Sequence, residues 1–375
     1  MNHINRLAII GAFRALGGSI IWPFTGYALY TVFNFPLSIV SIYYLIQAVF
    51  SVLAYISGGY ITDFLGRIKA MIISILLSSL FLLLSFLFYH PLLVASFLLL
   101  QSFFNNVYNV ANTTLVGDIN KGEFKKLVSS FSRVRVGINA GWAFGPLIGS
   151  IIFEYQGFRQ LLLISSFILL IPLIFVFSLP DFKGIRRFYF SIHKEFAKFL
   201  LPTFLTFMLM SQLGFSLLTF YTEVVKLSVE DVGFLFMING LLIVILQDII
   251  GKFLKVKTII LGMFIYSFSY LAVAFITSFI FACIDVVFIT LAEMIVSPLS
   301  QAIASSLTKD EERGREMGVY GMVTALGRLI GSSYASYLMS FFLFTPLYLW
   351  FFISILGFLS IPLYLLSLKR IETNG

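Results

Sequence analysis

Apolar residues along this chain fall into long runs rather than into alternation, and the runs recur about every thirty residues. They predict helices near 7–32, 39–62, 69–89, 92–117, 127–153, 159–179, 198–222, 230–250, 257–278, 281–306, 315–339 and 344–368. Each is long enough to cross a hydrocarbon layer, which takes about 20 apolar residues. Turn signals separate them: Pro36, Pro91, the Gly157-Phe158 pair and Thr345-Pro346. The longest polar stretch, Asp181 to Lys198, lies mid-chain and carries Lys183, Arg186, Arg187, His193 and Lys194. The predicted organisation is therefore a six-helix bundle over 1–180, a basic linker over 181–197 and a second six-helix bundle over 198–375. The fold class is all-α, with twelve membrane-spanning helices in two related halves.

Composition removes the soluble alternatives. Of 375 residues, 59% are hydrophobic and 11% charged, less than half the charge that coats an average soluble domain. Twelve spans use about 240 residues and leave too few for a separate soluble domain. The N-terminal apolar run has no small-residue cleavage site, and Arg14 interrupts it, so it reads as a first span rather than a leader. The net charge of +8 sorts by loop. Only Arg159 and Lys226 fall in one set of loops, and Arg14 and Arg328 within spans; the other basic residues share the opposite set with both termini. This is the positive-inside pattern, so the chain is expected in the cell membrane with both termini cytoplasmic, its partners the lipid bilayer and no nucleic acid. Cys283 is the single cysteine and the three histidines are far apart, so no metal, cofactor or disulfide is expected. No HExxH, GxSxG or Walker lysine run occurs, which argues against an enzyme or an ATP-driven pump.

An internal repeat sets the architecture. Asp63-Phe64-Leu65-Gly66-Arg67 returns as Asp248-Ile249-Ile250-Gly251-Lys252, 185 positions on. Gly145-Pro146-Leu147-Ile148-Gly149-Ser150 returns as Gly327-Arg328-Leu329-Ile330-Gly331-Ser332, 182 positions on, with Arg133 on Arg315. Two parallel halves enclosing a mid-membrane site are a transporter pattern.

With these motifs the chain resembles the major facilitator superfamily. The stretch Gly59-x-x-x-Asp63-x-x-Gly66-Arg67-x-Lys69 fits the loop signature between its second and third helices. Gly141-x-x-x-Gly145-Pro146-x-x-Gly149-Ser150 is similar to the motif of the drug/proton antiporter branch, with Ser150 where a glycine is usual. Glu293 to Pro298, followed by Arg313-Gly314-x-x-Met317-Gly318, resembles the tenth-helix region of the twelve-helix exporters. The resemblance implies alternating access, with Asp63/Arg67 and Asp248/Lys252 as gating loops, spans one, four, seven and ten lining a cavity, and spans three, six, nine and twelve facing lipid. Spans three, six, nine and twelve indeed lack interior Asp, Glu, Lys and Arg. The glycines of 141–149 also read as a plain small-residue ridge for close helix packing, and Asp63/Arg67 as a loop salt bridge.

Polar residues within spans supply the candidate site, because charge at bilayer depth is costly. Gln101, Asn105, Asn109 and Asn112 fall within roughly an 80° arc of span four. Arg14, Gly18, Trp22 and Thr25 share a face of span one; Gln212, Ser216, Thr219 and Glu223 share one in span seven; Glu293, Ser297 and Ser300 share one in span ten, with Asp285 nearby. Glu293 is mid-span, and a desolvated carboxyl there can carry a proton reversibly; the competing reading is a fixed ion pair with Arg328. Arg14 lies about 13 Å along its helix from residue 5, and reads either as a ligand for an anionic substrate or as a structural partner of a carboxylate or carbonyl. Asp285 is a second coupling candidate, or simply faces water near its helix end. Trp22 and Tyr27 can stack a substrate. The expected function is monomeric, proton-coupled export of small organic molecules. Proton-coupled uptake of an anionic metabolite gripped by Arg14 and Arg328 is the alternative, and a non-transporting sensor is the reading from another class.

Overall fold

The computed structural model describes residues 2–119, 124–182, 194–307 and 313–368. They form fifteen α-helices: α1 His3–Ile21, α2 Phe24–Thr31, α3 Leu37–Leu65, α4 Arg67–Leu87, α5 Pro91–Ile119, α6 Phe124–Gln156, α7 Phe158–Leu170, α8 Leu173–Val176, α9 Lys194–Met210, α10 Phe215–Glu223, α11 Val229–Gly251, α12 Thr258–Ala272, α13 Phe279–Ser306, α14 Arg313–Phe342 and α15 Pro346–Leu368. Twelve spans become fifteen helices because three are broken. Pro23 separates α1 from α2, Pro172 separates α7 from α8, and a short 3-10 turn at Ser211–Leu213 separates α9 from α10. Proline removes the N–H its helix needs and clashes one turn back. Eleven stretches among the described residues are long and apolar enough to cross a membrane; α14 is long enough but rich in glycine and serine.

The chain forms two compact units, Met1–Asn34 with Ile46–Phe188, and Phe35–Leu45 with Tyr189–Gly375. The first turns of α3 thus belong to the second unit, whereas the sequence pattern groups all of span two with the first half. Polar contacts at small side chains explain the assignment. Ser336 Oγ donates to the Leu37 carbonyl at 2.7 Å, and the Ser41 and Ser333 hydroxyls are 2.9 Å apart.

Each unit is built on one close helix pair. In the first, α1 lies on α6, and a methyl added at Gly137, Gly141, Gly145 or Gly149 would overlap the Ala8, Ala12 or Ile20 carbonyl or the Ser19 hydroxyl. In the second, α9 lies on α14 in the same way, with Gly327 and Gly331 against the Phe204 and Met208 carbonyls. Without a hydrophobic drive between helices in lipid, such backbone approach is the main source of packing energy. The 182-residue repeat is therefore a repeat of one packing device, and Pro146 is buried within α6.

Candidate functional site

The loop after α3 is assembled from four parts of the first unit. Gly66 has φ +95 and ψ 159, a conformation essentially confined to glycine, and it turns the chain from α3 into α4. Arg67 is buried and bridges two carboxylates: Nη1 donates to Asp63 Oδ1 at 3.1 Å and Nε to Asp118 Oδ2 at 2.8 Å. The start of α4 has no side-chain cap of its own, because its N-cap is Gly66. Asp181 supplies one from beyond α8: its Oδ1 accepts from the Ile68 N–H at 3.0 Å, while the Arg67 N–H donates to the Phe182 carbonyl at 3.1 Å. A carboxylate at that position also meets the positive end of the helix dipole. Asp118 and Asp181 are absent from the sequence motif, and only their level at the ends of two spans could have pointed to them. Gly59 is buried nearby, but the adjacent Gly58 is the one that approaches Val107 and Val110 of α5.

The same motif after α11 builds something different. Gly251 is the last residue of α11, with no atom near enough to contact an added methyl, and Lys252 is exposed. The side chain of Asp248 lies outside the described residues.

The span-one and span-four stripes do meet. The Arg14 guanidinium is buried; Nη2 donates to Asn105 Oδ1 in a short hydrogen bond, and its Cζ lies 4.0 Å over the Tyr108 ring. Its Nη1 is buried without a hydrogen-bond partner, as is Asn112 Oδ1. No carboxylate among the described residues pairs with this arginine, so the structural-partner reading reduces to an amide and a ring. Gln101 is half-buried and Asn109 exposed, so the arc is only partly turned inward. Neighbouring Ser102 and Asn106 bond instead to Gln47 and Ser51 of α3, at 3.1 and 3.0 Å. Trp22 packs edge-on against Trp142 of α6, 5.3 Å between centroids, and Tyr27 packs on Phe153. Thr25 is half-buried, its hydroxyl donating to the Ile21 carbonyl at 3.3 Å.

In the second unit the span-seven stripe is turned to a structural task, contrary to its expected place in a cavity wall. Gln212 is buried and its amide donates to the Met208 and Gly331 carbonyls at 2.7 and 3.1 Å, while Ser216 donates to its Oε1 at 2.6 Å. The break between α9 and α10 frees backbone carbonyls, and a buried carbonyl needs a donor. Both ends of Gln212 and the Ser216 hydroxyl are thereby engaged within the protein.

Glu293 is half-buried on α13, and its Oε2 accepts from Asn239 Nδ2 of α11 at 3.1 Å; the same amide donates to Thr290 at 3.0 Å. Asn239 is a site residue that the single-helix stripes could not reveal. Ser297 is half-buried one turn on, and the Ser300 hydroxyl accepts from Tyr320 at 3.0 Å. Arg328 does not take the buried position expected of it. It is exposed, with its guanidinium 5.1 Å above the Phe207 ring. Asp285, expected as a second coupling group or as a residue facing water near its helix end, is buried, and its Oδ2 has no partner.

Known proteins share this architecture. The chain is 24% identical to a Bacillus subtilis (strain 168) protein described as an uncharacterized MFS-type transporter, YttB, over 98% of this chain and 96% of that one. Among solved structures, the POT family transporter PepTSo superposes with a TM-score of 0.82 at 12% identity, covering 100% of this chain and 99% of that one. The nucleoside transporter NupG gives 0.79 at 12% identity, covering 98% and 100%. A bacterial homologue of the human lysosomal transporter Spinster, in an inward-facing and occupied conformation, gives 0.78 at 12% identity, covering 97% and 96%. The family model described as Major Facilitator Superfamily matches residues 7–279 and 203–374. The two matches together take in nearly the whole chain, and this multi-pass membrane protein belongs to the Major Facilitator Superfamily as a transporter of its type.

Proposed function

We propose that the protein is a proton-coupled secondary transporter that exports small organic compounds by alternating access, with Glu293 as the group that takes up and releases the proton. The observation that carries this reading is the setting of Glu293, half-buried mid-span with a neutral amide among its partners. The Asn239 Nδ2–H can stay bonded whether the carboxyl is charged or neutral, so this contact survives a change of state. The close α1–α6 packing through Gly141, Gly145 and Gly149 accords with the exporter-like motif. Small organic solutes also accord with the peptide and nucleoside transporters that share the fold.

The test is purified protein in sealed vesicles under an imposed pH gradient, with vesicle-entrapped pyranine reporting proton movement. A panel of amphipathic cations forms one arm and a panel of monocarboxylates the other. Export predicts solute moving against the proton flow, with coupling lost in Glu293→Gln. Full proton-driven transport by that variant overturns the reading.

One observation favours a second reading, proton-coupled uptake of an anionic metabolite. Arg14 is a buried cation with no carboxylate partner among the described residues and one unpartnered nitrogen, and a buried charge without a counter-charge is destabilising. An incoming carboxylate would satisfy it. In the same vesicles this reading predicts solute moving with the protons, and weaker carboxylate binding in Arg14→Gln.

A further inference from the structure

Asp285 poses a problem that neither reading solves. It lies on the second turn of α13 and is 6% exposed, with Oδ2 unpartnered. No lysine or arginine among the described residues pairs with it. Its titratable neighbours are the Tyr221 and Tyr270 side chains, and the Tyr221 hydroxyl is also buried and unpartnered. The carboxyl forms part of the wall of a crevice between α12 and α13, about 360 Å³ in volume, otherwise lined by Phe264, Ile265, Phe268, Ser269, Ala272 and Phe288. The crevice lies wholly within the second unit. Its rim residues Phe264, Phe268 and Phe288 are 42%, 56% and 50% exposed, and Leu261, Ile284 and Phe281 extend the same apolar surface. In a protein that spans a bilayer, such a rim meets acyl chains.

An apolar opening with a single acidic group at its base is complementary to one kind of occupant. The ring faces are negative and attract a cation placed over them. A buried carboxyl without a counter-charge gains most from a cation that is itself poorly hydrated. A strongly hydrated metal ion would require several oxygen ligands, and the wall offers only Asp285 and the Ser269 hydroxyl.

We propose that the α12–α13 crevice is a lateral binding site for hydrophobic organic cations partitioned in the membrane, with Asp285 as counter-ion and Phe264, Phe268 and Phe288 enclosing the apolar body. It shares no residue with the Arg14 cluster, borders the Glu293 cluster through Tyr270, and does not depend on the coupling mechanism.

The test is equilibrium binding of radiolabelled tetraphenylphosphonium to the full chain in lipid nanodiscs, with triphenylphosphine oxide as the neutral comparison. Wild type is expected to bind the phosphonium in preference to the oxide. Asp285→Asn is expected to weaken phosphonium binding about tenfold or more and leave oxide binding unchanged. Ala272→Phe, which fills the crevice and leaves the carboxyl in place, is expected to weaken both, and it carries the test if Asp285→Asn does not fold. Equal wild-type binding of cation and neutral compound would mean a site for any apolar body and would overturn the proposal. So would phosphonium binding that survives both substitutions, or that is lost in Glu293→Gln and kept in Asp285→Asn.

Discussion

The loop after α3 and its repeat after α11 share a sequence pattern but not a structure. In the first unit the arginine is buried between Asp63 and Asp118, the glycine holds a positive φ, and Asp181 caps the next helix. In the second, Gly251 ends a helix with space around it, Lys252 is exposed, and α12 begins at Thr258, its N-cap Lys257 giving no side-chain hydrogen bond. The glycine repeat behaves in the opposite way, since α6 on α1 and α14 on α9 use the same device. A glycine ridge acts through backbone approach and needs only its own helix and one neighbour. An ion-pair loop needs partners from two or three further elements, which a short motif does not carry with it.

Substitutions can break this contrast. The largest effect is expected at Arg67→Ala, which leaves two mostly buried carboxylates without their cation. Removing one member of such a network costs about 3 kcal/mol or more, and the readout is a strongly lowered thermal midpoint and folded yield in detergent; a midpoint within a degree of wild type would show that the network is unimportant. Gly66→Ala comes next. An added methyl would sit 2.7 Å from Asp181 Oδ2 at a φ that alanine rarely adopts, a strain of about 1–3 kcal/mol. Asp181→Ala should cost about 1 kcal/mol as the loss of a helix cap. It should also raise backbone amide exchange at the start of α4, with no change at the start of α12. The smallest effect is expected at Gly251→Ala, within about 0.5 kcal/mol and of either sign, because the site is helical and open. If Gly251→Ala destabilised as much as Gly66→Ala, the two loops would be equivalent after all.

The candidate site was legible in proportion to how much of it lies on one helix. The facing of Arg14 and Asn105 follows from two stripes that each had to turn away from lipid, and the structure joins them. Gln212 and Ser216 gave the same stripe signal but are used to mend the helix break between α9 and α10. That break is a 3-10 turn facing Gly331 of another span, which no periodicity displays. Asn239, Asp118 and Asp181 lie on elements distant in sequence from the groups they serve. Arg328 went astray for a related reason: its depth was readable, but its rotation about the axis of α14 was not, and it lies exposed over Phe207.

By itself the sequence determined the number and class of spans, their two-fold repeat and the residues too polar to face lipid, because hydrocarbon penalises each such residue wherever its neighbours stand. Only the tertiary structure decided which of those residues are joined and which remain unsatisfied. It gave Arg67 two carboxylates, Glu293 an amide, and Arg14 and Asp285 no counter-charge among the described residues. The physical reason is that desolvation acts on single residues and can be read along a chain, whereas its relief requires a partner that helix packing alone brings near.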